Sequence, residues 1–173
     1  VSSFTNSRLW QQCNFKYKYF AKVDYKSCFN SIYTHTYKWI IERNTVDSKE
    51  AKNSNLFIII DRVLQNINGK SSNGVIVGPE FSRMIAEILL QHIDKEILEN
   101  FQIKGLSMPK DFRVFRYVDD IYIFANTPII TEAIVKTIVS TAQKYLLHLN
   151  ELKYYTAETP VVLNDWTDKT RTF

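Results

Sequence analysis

The residues best suited to chemistry are four in a row, Tyr117-Val118-Asp119-Asp120. Two adjacent carboxylates stand between the apolar runs Phe112–Val118 and Ile121–Ala125. That is an odd choice for a turn, because like charges repel and Asn-Gly or Asp-Gly reverses a chain with less strain. A divalent cation would relieve the repulsion. Mg²⁺ is a hard ion that takes carboxylate oxygens and keeps water and phosphate as its other ligands. Taken alone, the pair reads more simply as an acidic turn on a solvated surface.

Three further segments change that balance. In Phe20-Ala21-Lys22-Val23-Asp24-Tyr25-Lys26-Ser27-Cys28-Phe29, a β-branched and aromatic run delivers Asp24 as the chain turns, and an aromatic follows five residues later. Phosphoryl transfer between two cations needs a carboxylate from a second strand, so that both ions are gripped from opposite sides. Alone, Asp24 would pass for a turn or helix cap. Next, Asn73-Gly74-Val75-Ile76-Val77-Gly78-Pro79-Glu80 is a glycine-bearing loop that enters a helix. Such a loop lets backbone approach a base pair or phosphate, although a plain junction has the same composition. Last, Leu149-Asn150-Glu151-Leu152-Lys153 ends on a lysine that could reach a leaving pyrophosphate, or could be an ordinary surface charge.

Asp24 and the hairpin are remote in sequence, so only a packed sheet can join them. Lys18–Val23 reads as a strand turning at Asp24, and the two runs about Asp119-Asp120 read as a tight hairpin. Ile32–Ile41 has helical character. Leu56, Ile59, Ile60, Val63, Leu64 and Ile67 recur on one helical face that stops at Asn68-Gly69. Pro79 suits a first helical position before a long helix over Glu80–Phe101. Thr127-Pro128 caps a helix carrying Val135, Ile138, Val139, Ala142, Leu146 and Leu149. Lys153–Ala157 and Val161–Leu163 read as closing strands. The sum is an α+β fold, an antiparallel sheet with one obvious hairpin, packed on one face by helices.

The 173 residues suit one domain, and 45% apolar with 14% aromatic content is enough for a real core. A net charge of +4 leans weakly toward a polyanionic partner. Cys13 and Cys28 have neither disulfide-framework nor zinc spacing, which points to free thiols in a reducing compartment and to a cytoplasmic setting. Apolar runs such as Leu56–Ile60 fall far short of a membrane span, so no membrane is expected. The chain opens at Val1 rather than Met and stops at Phe173, which reads as a piece of something longer.

In order, these segments resemble the palm motifs of reverse transcriptases: Asp24…Phe29 the first, Val77-Gly78-Pro79 the second, Tyr117-Val118-Asp119-Asp120 the third, Leu149-Asn150-x-x-Lys153 the fourth. Asn30-Ser31-Ile32-Tyr33-Thr34-His35 and Gly78-Pro79-Glu80-x-Ser82-Arg83-x-x-Ala86-Glu87 are most similar to bacterial abortive-infection and other phage-defence members. The resemblance implies a palm over residues 1–173 with part of the fingers connection, the fingers tip and thumb being mostly absent. It implies nucleotidyl transfer that adds deoxynucleotides to a 3′ end, with RNA as template or with no template. Asp24 and Asp119 would ligate two Mg²⁺ (or Mn²⁺) ions with the Tyr25 carbonyl, and Asp120 would complete the metal site. Backbone at Ser27 and Cys28 would face the triphosphate, Phe29 would bar a ribose 2′-hydroxyl, and Gly78 and Arg83 would approach the nucleotide. Lys153 would protonate pyrophosphate. The implied partners are a primer/template, deoxynucleoside triphosphates, and the fingers and thumb of a full-length chain, with oligomerisation left open.

Two features depart from that pattern. The more familiar second motif has Pro-Gln-Gly where this chain has Ile76-Val77-Gly78, and valine cannot hydrogen-bond to a base pair. Only Arg8, Lys16, Lys18 and Lys22 supply basic charge ahead of Asp24. The competing reading is a palm without chemistry that binds nucleic acid or acts as a scaffold. A palm-type nucleotide cyclase would carry a Gly-Gly-Asp/Glu-Glu-Phe hairpin, which is missing. His35, His92 and His148 lack ligand spacing, Arg83 is as well placed to contact nucleic acid or triphosphate as to form an ion pair with Glu80 or Glu87, and the aromatics at 15, 17, 19, 20 and 25 are core or stacking surfaces. Trp10 and Trp166 are read as interface residues.

Overall fold

The computed structural model describes residues 2–42, 56–76, 78 and 80–161. Val77 and Pro79 of the second motif, Leu163 and Trp166 lie outside them. The chain divides into two compact units. One comprises Val1–Asp24, Gly105–Val135 and Asn150–Phe173, the other Tyr25–Lys104 and Lys136–Leu149.

The first unit is built on a four-stranded antiparallel sheet of order β2-β3-β1-β4, with β1 Tyr19–Asp24, β2 Phe112–Tyr117, β3 Asp120–Ala125 and β4 Tyr155–Glu158. Directly paired residues share a face of a sheet. One face therefore carries Phe20 opposite Phe124, Lys22 opposite Tyr122 and Asp24 opposite Asp120. Helices α1 (Ser2–Thr5) and α2 (Arg8–Lys16) cover its aromatic end. Ser7 caps α2 by accepting a hydrogen bond from the Trp10 amide at 3.2 Å. The indole of Trp10 then meets Phe20, Tyr122 and Phe124 edge-on at centroid distances of 5.6, 5.7 and 5.0 Å, so Trp10 is core and not the interface residue expected. Each such pair contributes about 0.5–1.5 kcal/mol beyond its buried area. Asn14 fastens β4's exit to α2 through paired 3.0 Å hydrogen bonds with the Val161 backbone. The other face, with Ala21, Val23, Ile121 and Ile123, is buried too.

The second unit is helical: α3 (Cys28–Ser31), α4 (Thr36–Glu42), α5 (Leu56–Ile67), α6 (Glu80–Ile103) and the later turns of α7 (Pro128–Lys144), a helix that begins in the first unit. Helix α4 packs on α5 and α6, and the buried Tyr37 hydroxyl donates to the Ile85 carbonyl at 3.0 Å. The expected helix over Ile32–Ile41 is broken. Ile32 and Tyr33 are extended, because Tyr33 bridges to Asn73 and the Thr34 amide donates to the Ser72 carbonyl. Asp61, only 1% exposed, holds this region together by accepting from Lys38 at 2.8 Å, His35 at 2.9 Å and Gln65 at 2.6 Å. Burial pushes its carboxyl up, but the hydrogen bonds from Lys38, Thr34 and Gln65 and the nearby His35 outweigh that and leave it below the usual range. Among the described residues, no helix is long and apolar enough to cross a membrane.

Candidate active site

The sheet gathers the expected acids at one end. β1 ends on Asp24, β3 begins on Asp120, and the two are direct partners in the register. The hairpin turns one residue earlier than the sequence suggests: β2 ends at Tyr117, opposite Asp120, and Val118-Asp119 make the turn. A one-residue shift in a strand sends every side chain to the other face. Here it sets Asp120, and not Asp119, across from Asp24. The turn closes with Val118 at φ 58, a left-handed conformation that a β-branched residue adopts only under strain. Arg116 donates to the Val118 carbonyl at 2.9 Å and clamps it.

Asp24 is 2% exposed. One carboxylate oxygen accepts from Lys153 Nζ at 2.7 Å; the other, Oδ1, is buried without a hydrogen-bond partner. An ionised oxygen left that way is costly. Lys153 lies in a 3₁₀ turn, Glu151–Lys153, and not at the start of a strand as expected. Asn150 creates that turn. Its side chain caps the Leu152 amide at 3.2 Å, while its own amide donates to the Asp24 carbonyl at 2.9 Å. Lys153 is thus delivered to Asp24 by backbone attached to Asp24. The hydrogen bond to Asp24 pushes the Lys153 ammonium up; partial burial opposes it, and the charges of Asp24, Asp120 and Asp119 add to the rise.

Lys22, which the sequence offers only as a stray basic residue, proves to be part of this group. Its ammonium lies 3.3 Å from Asp120 Oδ1 and 5.6 Å from the centre of the Tyr122 ring, and the Tyr122 hydroxyl donates to Asp120 Oδ2 at 3.3 Å. Strand alternation was the available signal, since Lys22 and Asp24, like Asp120 and Tyr122, are two apart on one face. Among the described residues, no group of three or more His, Cys, Asp and Glu side chains is arranged to hold a metal ion. Two lysines occupy the carboxylates instead. The donor set itself fits a hard cation: carboxylates on adjoining strands, one with a buried oxygen that has no protein partner.

The remaining expected residues belong to the second unit. Tyr25, directly after Asp24, is buried and forms an isolated bridge with Leu149. Ser27 is left-handed (φ 48) and precedes α3, where Cys28 is buried and Phe29 half-buried. Gly74 (φ 83) does provide a close approach, but to protein: a Cβ there would lie 3.2 Å from the Asn30 carbonyl oxygen. Its amide donates to Ile32 and the Val75 amide to Phe29, each at 2.8 Å. Gly78 (φ 121) is exposed, with nothing within 4 Å of an added Cβ. Arg83 pairs with Glu80 at 3.1 Å, both side chains being mostly solvated. His35 and His92 are satisfied by neighbours, Asp61 with Ser72 and Tyr145 respectively.

The reverse transcriptase (RNA-dependent DNA polymerase) family model matches residues 3–164. The chain belongs to the reverse transcriptase family. Among solved structures, this reverse transcriptase chain is similar to apo telomerase from Candida tropicalis truncated from its C-terminal domain, at 19% identity and a TM-score of 0.59, over 95% of this chain and 35% of that one. It is similar also to Candida albicans telomerase in complex with the TWJ fragment of telomeric RNA, at 15% identity and a TM-score of 0.58, over 94% and 30%. Apo Candida tropicalis telomerase aligns at 17% identity and a TM-score of 0.59, over 91% and 30%. The reverse transcriptase chain thus spans about a third of the length of these proteins, and at such identity they share its fold. No curated protein matches the sequence.

Proposed function

We propose that this chain carries out metal-dependent nucleotidyl transfer, adding deoxynucleotides to a 3′ end with an RNA template or with none. Asp24 is the observation that supports it most: a nearly fully buried carboxylate, half satisfied by a lysine, facing a second aspartate on the next strand. Asp24, Asp119 and Asp120, with the Tyr25 carbonyl, would hold two Mg²⁺ or Mn²⁺ ions. Such ions lower the pKa of an attacking 3′-hydroxyl and offset charge on the transferred phosphoryl group.

The chain's own groups do the rest. Lys153, whose contact with Asp24 keeps it protonated while no cation is bound, would leave that carboxylate when a cation takes it and would hand its proton to the leaving pyrophosphate. Lys22 and Tyr122 hold the Asp120 carboxylate in place. On the sequence resemblance, Phe29 excludes a 2′-hydroxyl by volume and by leaving it unpaired, Ser27 and Cys28 offer backbone to the triphosphate, and Gly78 and Arg83 approach the nucleotide. A primer/template and deoxynucleoside triphosphates are the proposed partners; the RNA-bound Candida albicans relative supports an RNA component. The resemblance of Asn30–His35 and Gly78–Glu87 to phage-defence members supports a role in phage defence in the cytoplasm.

The test is deoxynucleotide incorporation by the full-length protein with Mg²⁺. Asp119→Asn combined with Asp120→Asn abolishes it on this reading; unchanged incorporation would sink the proposal. Phe29→Ala admits ribonucleotides, and unaltered sugar discrimination removes Phe29 from that role. The lysine-filled carboxylates favour one competing reading, a palm that binds without chemistry. It predicts primer-end binding that is indifferent to Mg²⁺, and no synthesis.

A further inference from the structure

Helix α2 turns two faces in different directions. Trp10 and Cys13 point into the aromatic core, whereas Arg8, Gln11, Gln12 and Phe15 follow one another at helical spacing on the exposed side, with Lys16 beside them. Phe15 is 86% exposed. A lone exposed apolar residue means little. This one, however, lies in a groove of about 720 Å³ whose lining, among the described residues, includes Arg8, Lys16 and Arg113 and no acid. Among the described residues, neither Arg8 nor Arg113 pairs with a carboxylate; Arg113 stacks its guanidinium over Phe115 at 5.8 Å. Lys16 donates to the Pro109 carbonyl at 2.7 Å, which fixes its ammonium at the wall. The cations are felt by their surroundings, since Arg113 and Lys16 both pull the buried Cys13 thiol down against the larger push of burial.

The groove lies at the other end of the sheet from the carboxylates. Arg113 pairs with Phe124, four residues along β3 from Asp120, or about 14 Å. It is therefore a separate surface.

We infer that this groove binds single-stranded nucleic acid, with Arg8, Lys16 and Arg113 on the phosphates and Phe15 as a platform for one base. Cations that follow a backbone, together with an aromatic ring that stacks a base, are what single-strand recognition requires. Gln11 and Gln12 add amides able both to donate to and accept from base edges. A membrane surface would need an apolar stripe, and here one ring stands among amides and charges. A phosphopeptide would use the cations and leave the ring idle. The groove's ligand is argued from its own lining and stands whether or not the carboxylate end makes DNA.

The experiment uses the full-length protein and a fluorescein-labelled single-stranded RNA of about a dozen nucleotides, containing 4-thiouridine for photo-crosslinking. Crosslinks are expected on the α2 peptide that contains Phe15. Arg8→Glu with Arg113→Glu removes them and lowers the dependence of log affinity on log salt by about 1.4, two phosphate contacts at about 0.7 each for a single strand. Phe15→Ala weakens binding about five-fold or more, as expected for the loss of one stacked base, with an unchanged salt slope. These residues are exposed or half-exposed, so the variants are expected to fold, which melting curves are used to check. Crosslinks that map only elsewhere overturn the inference, as does a double variant with the parent's salt slope. Loss of binding on charge reversal without any effect of Phe15→Ala overturns the nucleic-acid claim in favour of a general polyanion site. Asp119→Asn separates the two sites: it stops synthesis on the proposed function and leaves the Phe15 crosslink in place.

Discussion

Replacing Lys153 by methionine keeps the stem and removes the charge that compensates Asp24. The pair has one buried end and one wet end, the Asp24 side chain being 3% exposed and that of Lys153 64%, with 2.7 Å between the charged atoms. Breaking a fully buried pair costs about 3–5 kcal/mol, and an exposed pair is worth about 0–1 kcal/mol. The intermediate geometry gives about 1–2 kcal/mol by these bounds. For a chain of this size that is a fall in Tm of about 2–8 °C. The loss should be seen in EDTA. In millimolar Mn²⁺ it should shrink, because the variant has no ammonium to displace before a cation reaches Asp24, and ligand that binds only the folded state stabilises it. The assay is a thermal melt of wild type and Lys153→Met, each in EDTA and in Mn²⁺. An EDTA Tm equal to that of wild type would refute the ion-pair argument. Equal Mn²⁺ stabilisation of both proteins would refute the idea that lysine and cation compete for the same carboxylate.

Three further outcomes follow from the geometry. Asp61 has a folded-state pKa below its unfolded value of about 3.9, so its stabilisation is present above about pH 4 and lost as pH falls through the folded value; urea midpoints should therefore show Asp61→Asn much weaker than wild type at neutral pH and level with it in strong acid, and a gap that persists in acid contradicts the assignment. Val118→Gly should raise Tm, because relief of a left-handed valine, about 1–3 kcal/mol, exceeds the roughly 1 kcal/mol of added backbone freedom; a lower Tm would show that the turn is not strained. Gly74→Ala should destabilise by about 1–2 kcal/mol, through its positive φ and the 3.2 Å approach to the Asn30 oxygen, and an unchanged melt would mean that the loop relaxes freely.

The hairpin, the strand into Asp24 and the long helices were legible because period and punctuation agreed there: α5 stops within two residues of Gly69, and α6 starts and stops within two residues of Pro79 and Gly105. The turn position was not. A hairpin read from composition puts the two acids in the loop, whereas the register draws Asp120 into β3 so that it can face Asp24. The break at Ile32-Tyr33 was hidden as well, because its cause is a long-range bridge to Asn73 that no local pattern encodes. Lys153 was placed one element off for a related reason: the 3₁₀ turn follows from Asn150 capping Leu152 while tied to Asp24. Lys22 was legible in principle, through its two-residue offset from Asp24, but only once the strand's pairing was known.

The most direct measurement is an anomalous difference map from crystals of the full-length protein soaked in Mn²⁺. A peak is expected against Asp24 Oδ1 and Asp120, with Lys153 moved off the Asp24 carboxylate, and it should disappear in Asp24→Asn. A saturating soak that leaves Lys153 seated on Asp24, with no manganese between the two strands, would contradict the proposed metal site.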